Sequence, residues 1–224
     1  MKKKLIFIVF LTATLLGLTA CGKLDVIGDG SKASFEEVLR AMQAKVAADD
    51  SFGGWSLQAP DGEARFLWSR DFSKTSTDAM LELDAQPFID AGLDMTKLPA
   101  EMVSGNKIII GTDLGDENLT YVGEASPIDS YKKLVKHYRD NITYHTSLDH
   151  FGIKLGNGNM FEWAKDMKTN DKDIVFVLNP QPFLDAGVNP DALETWVYAK
   201  VETMDESGKK VQVDKFLKPF DVES

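Results

Sequence analysis

Apolar residues recur at helical spacing in two stretches of the chain, one in each half. In both stretches they follow the spacing i, i+3, i+4, i+7 and i+11, which marks one face of an amphipathic helix. The first set is Phe35, Val38, Leu39, Met42 and Val46, and the second set is Tyr131, Leu134, Val135, Tyr138 and Ile142. The sequence therefore predicts one amphipathic helix in each half.

Short runs typical of strands follow each predicted helix, and turn-forming residues such as Pro60-Asp61-Gly62 and Gly156-Asn157-Gly158 separate them. In the first half the predicted strands are Trp55–Ala59, Arg65–Arg70, Ala79–Leu83, Lys107–Thr112 and Leu119–Gly123. In the second half they are Phe151–Leu155, Met160–Lys165, Ile174–Leu178, Val197–Thr203 and Lys210–Val213. Because links of hairpin length require antiparallel pairing, we expect an α+β fold with one helix on each sheet of about five short antiparallel strands.

An internal repeat relates the two halves of the chain. A shift of 95 residues aligns Phe66–Leu98 with Phe161–Leu193 without a gap, and 12 of the 33 pairs are identical. We therefore expect a tandem duplication, with one α+β module at residues 32–125 and a second at residues 126–224. The order of one helix followed by a small sheet resembles that of β-lactamase-inhibitor-like and PepSY-like modules, a likeness of topology that implies no particular site residue.

The N-terminus carries an export signal. Lys2-Lys3-Lys4 precede an apolar run that extends to Ala20, a layout typical of a secretory signal peptide. The run ends in Leu18-Thr19-Ala20-Cys21, which resembles the lipobox of bacterial lipoproteins. The resemblance implies that residues 1–20 are removed before Cys21 and that the Cys21 thiol carries a diacylglycerol. The alternatives are a transmembrane helix, for which the run falls short of the roughly 20 residues needed, and a plain signal peptide.

A lipid on Cys21 would hold the protein outside the cytoplasm. Two acyl chains hold a protein at a bilayer, whereas one binds only marginally. We therefore expect an anchor on the outer face of the cytoplasmic membrane, or in the outer membrane if the host has one. Residues 21–31 are rich in Gly and Asp and predict a flexible tether after the lipidated cysteine. Cys21 is the sole cysteine, so we expect no disulfide in the exported chain.

The net charge excludes two classes of partner. The chain has a formal net charge of −10, and removal of residues 1–20, which hold three lysines and no acidic residue, leaves −13. Nucleic acid binding requires a basic surface, and electrostatic docking on anionic lipid requires clustered Lys and Arg. The sequence also lacks a phosphate-binding loop, a dinucleotide fingerprint and a nucleophile elbow, so we expect no cofactor.

Two features of the repeated segment are candidate interaction sites. Trp68 and Trp163 each lie two residues after a phenylalanine, so both rings of each pair share one strand face. They predict core packing, which we favour, or an exposed aromatic surface for a partner. Asp90 and Asp185 lie in the repeated connector Gln-Pro-Phe-[Ile/Leu]-Asp-Ala-Gly. That connector predicts a helical turn specific to the fold or, alternatively, a ligand loop.

The three histidines all lie in the second half of the chain. His145, Asp149 and His150 are close in sequence, so a metal site or an acid–base site is a weaker alternative to ordinary structural roles. Their spacing matches no helical zinc motif. We therefore expect no bound metal.

These observations favour a non-catalytic binding or protein-interaction module anchored in the cell envelope. Its partner would be an envelope protein or a small molecule. One alternative is a hydrolase-type envelope enzyme that uses carboxylates or histidines of the second module or of a cleft between the modules. A second alternative is a lipoprotein that captures a solute for a transporter.

Overall fold

The computed structural model describes residues 34–41, 45–70, 78–112, 126–137, 141–145, 148–166, 172–205 and 207–221. The predicted signal peptide 1–20, Cys21 with the tether 21–31, and the predicted strand Leu119–Gly123 lie outside the described residues. The described residues include the repeated segments of both halves except for residues 71–77 and 167–171.

The first half of the chain forms a helix and a six-stranded antiparallel sheet. Helix α1 covers residues 34–41. The strands are β1 Val46–Asp49, β2 Gly54–Gln58, β3 Ala64–Ser69, β4 Ala79–Asp84, β5 Val103–Ser104 and β6 Lys107–Thr112. They lie in the order β1-β2-β3-β4-β6-β5. Between β4 and β5 lie helix α2, Gln86–Asp90, and two 3-10 turns, Met95–Lys97 and Ala100–Met102.

The second half forms the same arrangement. It begins with helix α3, Pro127–His137, and contains helix α4, Gln181–Asp185. Its strands are β7 Ile142–His145, β8 His150–Lys154, β9 Met160–Ala164, β10 Ile174–Leu178, β11 Val197–Met204 and β12 Lys210–Phe220. They form an antiparallel sheet in the order β7-β8-β9-β10-β12-β11, which matches the order of the first sheet.

The predicted α+β class is confirmed, and two details differ. Each sheet has six strands rather than about five. Val46 and Ile142, which fit the helical spacing, instead begin the edge strands β1 and β7. Both residues are β-branched and favour strands, so their agreement with the helical spacing is a coincidence of position.

The inward faces of the two sheets and helices α1 and α3 form one continuous hydrophobic core. Phe66 of β3 stacks on Phe161 of β9, with ring centroids 4.1 Å apart and planes 5° apart. Phe35 of α1 stacks on Tyr131 of α3 at 3.5 Å. In each pair the two residues occupy equivalent positions of the two halves. The halves therefore pack about an approximate twofold axis, like the subunits of a symmetric dimer.

Backbone hydrogen bonds between the two connectors follow the same axis. The Asp94 N–H donates to the Ala186 carbonyl at 2.9 Å, and the Asn189 N–H donates to the Ala91 carbonyl at 2.8 Å. Each residue of one bond is the equivalent, 95 positions along, of a residue in the other. The contact between the halves is therefore reciprocal at the level of single atoms.

The two sheets differ most in the hairpin that ends each of them. The register against β4 and β10 identifies two equivalent cross-strand pairs, Val103–Ile108 and Tyr198–Phe216. Residues 104–107 connect the first pair, whereas residues 199–215 connect the second. We call residues 199–215 the extended hairpin. The described part of the first half has no hairpin of this length.

Candidate functional site

The outward face of the second sheet holds a buried carboxyl group. In β9, Phe161 and Trp163 point into the core. Because side chains alternate along a strand, Glu162 between them points to the opposite face. It is nevertheless 0 % exposed. Since a buried ionisable group requires a partner, Glu162 marks a polar site on this face.

His145 is the partner of Glu162. Its Nδ1 lies 3.0 Å from Glu162 Oε1, and its Nε2 lies 3.1 Å from the carbonyl oxygen of Glu202. His145 belongs to β7 and Glu202 to β11, which are the two edge strands of the sheet. One imidazole therefore bridges both edges of a curled sheet. Gly152 leaves room for the carboxyl group, because a Cβ atom there would lie 2.8 Å from Glu162 Cγ.

The hydrogen bonds of His145 favour its protonated form. Its two ring nitrogens face a carboxylate and a carbonyl, and only an imidazolium donates from both nitrogens. Burial by itself lowers the pKa of His145, but the hydrogen bond and charge of Glu162, together with the Glu202 carbonyl, raise it above the ordinary 6.5. Glu162 Oε2 has no hydrogen-bond partner among the described residues. The positive charge of His145 therefore offsets the free-energy cost of burying the negative charge of Glu162.

A cavity of about 330 Å³ opens beside this pair. Strands β7, β8 and β9 form one side, and the extended hairpin forms the other. The lining residues are Thr143, Tyr144, His145, Lys154, Met160, Glu202, Thr203 and Lys210. Small-molecule pockets span roughly 300–1,000 Å³, so the cavity has the size for a small ligand.

The first sheet carries different chemistry at the equivalent positions. Asp49 replaces His145, and Leu67 replaces Glu162. The Asp49 carboxylate accepts a hydrogen bond from Arg65 at 2.8 Å, and the same guanidinium donates to Glu82 at 3.0 and 2.9 Å. The outward face of the first sheet thus carries an ion-pair network, whereas the His145–Glu162 pair and the extended hairpin belong to the second half.

The structure places both repeated tryptophans in the core. Trp68 and Trp163 are 0 % exposed, and the Trp163 indole N–H donates to Ser34 Oγ at 2.9 Å. Their strand face meets the aromatic rings of helices α1 and α3. The core interpretation is therefore confirmed, and the alternative of an exposed interaction surface at Trp68 and Trp163 is wrong.

Asp90 and Asp185 are exposed at the ends of α2 and α4. Each accepts a hydrogen bond from the glutamine one turn earlier, at 2.7 Å from Gln86 and at 2.6 Å from Gln181. The connector thus forms the expected helical turn in both halves. Neither carboxylate lines the cavity, and an interaction through them stays a prediction.

The structure brings the histidine cluster together only in part. His145 and His150 pair across β7 and β8, but His150 Nε2 lies 2.9 Å from the Lys172 carbonyl oxygen. Asp149 lies in the intervening turn with φ at 53° and accepts a hydrogen bond from the Tyr144 hydroxyl. Within the described residues, no group of three or more His, Cys, Asp or Glu side chains is placed to hold a metal ion.

Reasoning from the sequence missed Glu162 and the cavity. The available signal was an acidic residue between two core aromatics, Phe161 and Trp163, in a strand whose repeat partner has Leu67 at that position. Lys154 and Lys210 gave no comparable signal, because charged residues are frequent throughout this chain.

Neither protein-family models nor curated proteins nor solved structures match this chain. In the described part of the chain, every helix is too short or too polar to cross a bilayer. A functional interpretation therefore depends on the geometry and chemistry of the site itself.

Proposed function

We propose that this protein is a lipid-anchored, non-catalytic binding protein of the bacterial cell envelope, and that it holds a small ligand in the cavity of the second sheet. The observation that carries the proposal is the cavity of about 330 Å³, bordered by His145 and by the extended hairpin. Concave sites in which a few polar groups converge among apolar walls are typical of ligand binding.

The sequence supports the anchor. The basic N-terminus, the short apolar run and Leu18-Thr19-Ala20-Cys21 suit a lipoprotein signal. A lipidated Cys21 would tether the folded body at the membrane surface through residues 21–31. Because Cys21 is the sole cysteine, the anchored body would be stabilised without a disulfide.

A tandem duplication accounts for the two halves. The identical positions of the repeat, the shared strand order and the contacts between equivalent residues all support it. Since the His145–Glu162 pair and the extended hairpin have no counterpart at the equivalent places of the first half, we assign ligand binding to the second half. The first half then supplies the other side of the common core.

The hydrogen bonds of His145 favour binding over catalysis. A general base needs a free ring nitrogen within reach of the substrate proton. In His145 both nitrogens are engaged, Nδ1 by Glu162 and Nε2 by the Glu202 carbonyl. The ring therefore holds the cavity wall together instead of presenting a free nitrogen to a substrate.

A hydrolase-type enzyme is the second candidate function, and one observation favours it. A buried carboxylate that orients a histidine is the arrangement that acid–base catalysts use. Breaking the His145–Glu202 bond would free Nε2 toward the cavity. Under this candidate function, ligand turnover falls at least about a hundredfold in a His145→Gln variant, whereas a binding protein releases its ligand chemically unchanged.

Ligand screening of the purified full chain tests the binding function. Amino acids, short peptides, sugars and organic acids are added, and Tm is recorded. A ligand at 100 times its Kd stabilises the folded state by about 2.7 kcal/mol. We expect at least one class of ligand to raise the Tm of the natural chain. It should also raise the Tm of the control variant Thr195→Trp, because Thr195 is exposed and does not line the cavity. Thr143→Trp, which fills the cavity, should abolish the shift. An unaffected shift in Thr143→Trp contradicts the proposal, as does a screen without any shift.

A Cys21→Ser variant tests the anchor. We expect the natural chain to incorporate labelled fatty acid and to stay in the membrane fraction. The variant should remain unlabelled and uncut at residue 21. Acylated, membrane-bound Cys21→Ser protein would show that the anchor lies elsewhere.

A further inference from the structure

The geometry points to a small organic carboxylate as the ligand of the cavity, an inference that rests on the binding function proposed above. The basic character of the cavity wall carries it. Among the described residues that line the cavity, Lys154, Lys210 and His145 are basic and Glu202 alone is acidic. The chain as a whole has the opposite balance, with a net charge of −10.

The acidic groups at the cavity already have partners. Glu202 is paired with Lys210, whose Nζ lies 2.6 Å from Glu202 Oε1. Glu162 lies behind the wall, and its Oε1 is paired with His145. The Oε2 atom of Glu162 has no hydrogen-bond partner among the described residues, but Glu162 does not belong to the lining.

One positive charge of the described lining remains after this pairing, and a second lies nearby but outside the lining. Lys154 lines the cavity and forms no ion pair within the described ranges. Lys215, on the extended hairpin, donates to the Gly158 carbonyl at 2.7 Å, an uncharged acceptor. Burial lowers the pKa of Lys215, and the nearby Glu162 charge opposes that effect in part. The described lining therefore has one unpaired positive charge, that of Lys154, which one carboxylate group would neutralise.

The other lining residues suit an anion with an apolar body. The hydroxyl groups of Thr143 and Thr203 can donate to a carboxylate, while Met160 and the Tyr144 ring offer apolar surface. A phosphate ester carries up to two charges and is usually held by arginines or by a cluster of backbone N–H groups. Because none of the described lining residues is an arginine, we assign a carboxylate and not a phosphate.

A matched set of probes separates charge from shape. Benzoate, benzamide, benzylamine and phenyl phosphate share one ring and differ in the charge of a single substituent. Hexanoate, hexanamide and hexylamine repeat the comparison on an aliphatic body. Calorimetric titration of the purified full chain should give carboxylate binding at least about tenfold tighter than amide binding, a difference of about 1.4 kcal/mol. That preference should weaken as ionic strength rises.

Charge-removing variants locate the binding site. We expect Lys154→Gln and Lys210→Gln each to weaken carboxylate binding at least about fivefold, in line with the loss of a charge-assisted hydrogen bond. Lys209→Gln is the matched control, because Lys209 is an exposed neighbour on the same hairpin that does not line the cavity. It should bind as the natural chain does.

The outcomes distinguish this inference from the binding function on which it rests. Tighter binding of benzylamine, benzamide or phenyl phosphate overturns the carboxylate assignment, and so does the absence of binding by any probe. If one of those other probes binds and Thr143→Trp abolishes its binding, the cavity remains the binding site with a different ligand class. Carboxylate binding that survives Thr143→Trp contradicts both.

Discussion

Gly92 and Gly187 meet back to back where the two halves of the chain cross. A Cβ atom on Gly92 would lie 2.8 Å from the Gly187 carbonyl oxygen, and one on Gly187 would lie 2.9 Å from the Gly92 carbonyl oxygen. Their φ angles are 104° and 105°, a backbone region that favours glycine. The repeated Gly of the connector is therefore required twice over, by its own conformation and by its equivalent in the other half.

Replacing either glycine should destabilise the protein. Gly92→Ala or Gly187→Ala introduces strain at positive φ and a clash with backbone that cannot move freely. We expect each to lower the free energy of unfolding by about 2 kcal/mol or more, measured by chemical denaturation. Gly105→Ala is the control, because Gly105 has φ at 61° but nothing within 4 Å of an added Cβ. It should cost only about 1–2 kcal/mol, and equal costs at Gly92 and Gly105 would contradict the close contact.

The two core tryptophans should respond differently to a conservative change. Trp68→Ala and Trp163→Ala should each cost about 3–5 kcal/mol through the cavity they leave. Trp163→Phe also removes the donor to Ser34, whereas the Trp68 indole N–H has no hydrogen-bond partner among the described residues. We therefore expect Trp163→Phe to cost about 1 kcal/mol more than Trp68→Phe. Thermal or urea unfolding measures both, and a reversed order would contradict the Ser34 bond.

The stability that His145 supplies should depend on pH. Its pKa is raised in the folded state, so its contribution is fully present below the unfolded value of 6.5 and is lost as pH rises through the folded value. We expect the natural chain to exceed His145→Gln by about 1–2 kcal/mol at pH 5.5 and by less at pH 9. Urea unfolding at a series of pH values measures the difference.

Glu162→Leu provides the control for that pH dependence. It installs the residue found at the equivalent position of the first half, Leu67. Without the carboxylate, the larger of the two groups that raise the pKa of His145 is removed, and the Glu202 carbonyl is the one that remains. The effect of His145→Gln should then vary little between pH 5.5 and 9. A pH dependence that persists in the Glu162→Leu background would assign the titration to another group.

Replacing the extended hairpin by the short hairpin of the first half should remove the cavity and leave the core intact. Residues 199–215 are replaced by the sequence of residues 104–107, and Glu162→Leu is added to match Leu67 at the equivalent position of the first half. We expect the aromatic near-UV circular dichroism of the core to persist, while binding of any cavity ligand is lost. An unfolded product would mean that the extended hairpin is needed to complete the fold.

The repeated part of the fold could be predicted from the sequence, because both halves carry the same buried pattern. Strands β2, β3, β4, β8, β9 and β10 lie close to their predicted bounds. The edge strands β1 and β7 could not be predicted in this way, since Val46 and Ile142 also satisfy a helical spacing. The strand β5 has two residues, too few to give a periodic pattern.

The candidate site could not be predicted, for a physical reason. His145, Glu162 and Glu202 come from three strands that meet only because the sheet curls until its edges approach. No local pattern reports that curvature. In the order of predicted strands, Lys107–Thr112 and Val197–Thr203 occupy equivalent places, and this order concealed the difference in length between the two hairpins. The strand register shows instead that Lys107–Thr112 is the equivalent of β12.

The stacked pair Phe66 and Phe161 has a consequence for proteolysis. Each ring fills space that belongs to the opposite half, so a single cut of the peptide chain between the halves would not release a free-standing fragment that carries the cavity. The two pieces would instead hold each other by complementation, so the C-terminal piece, which contains the cavity, would remain bound to the N-terminal piece.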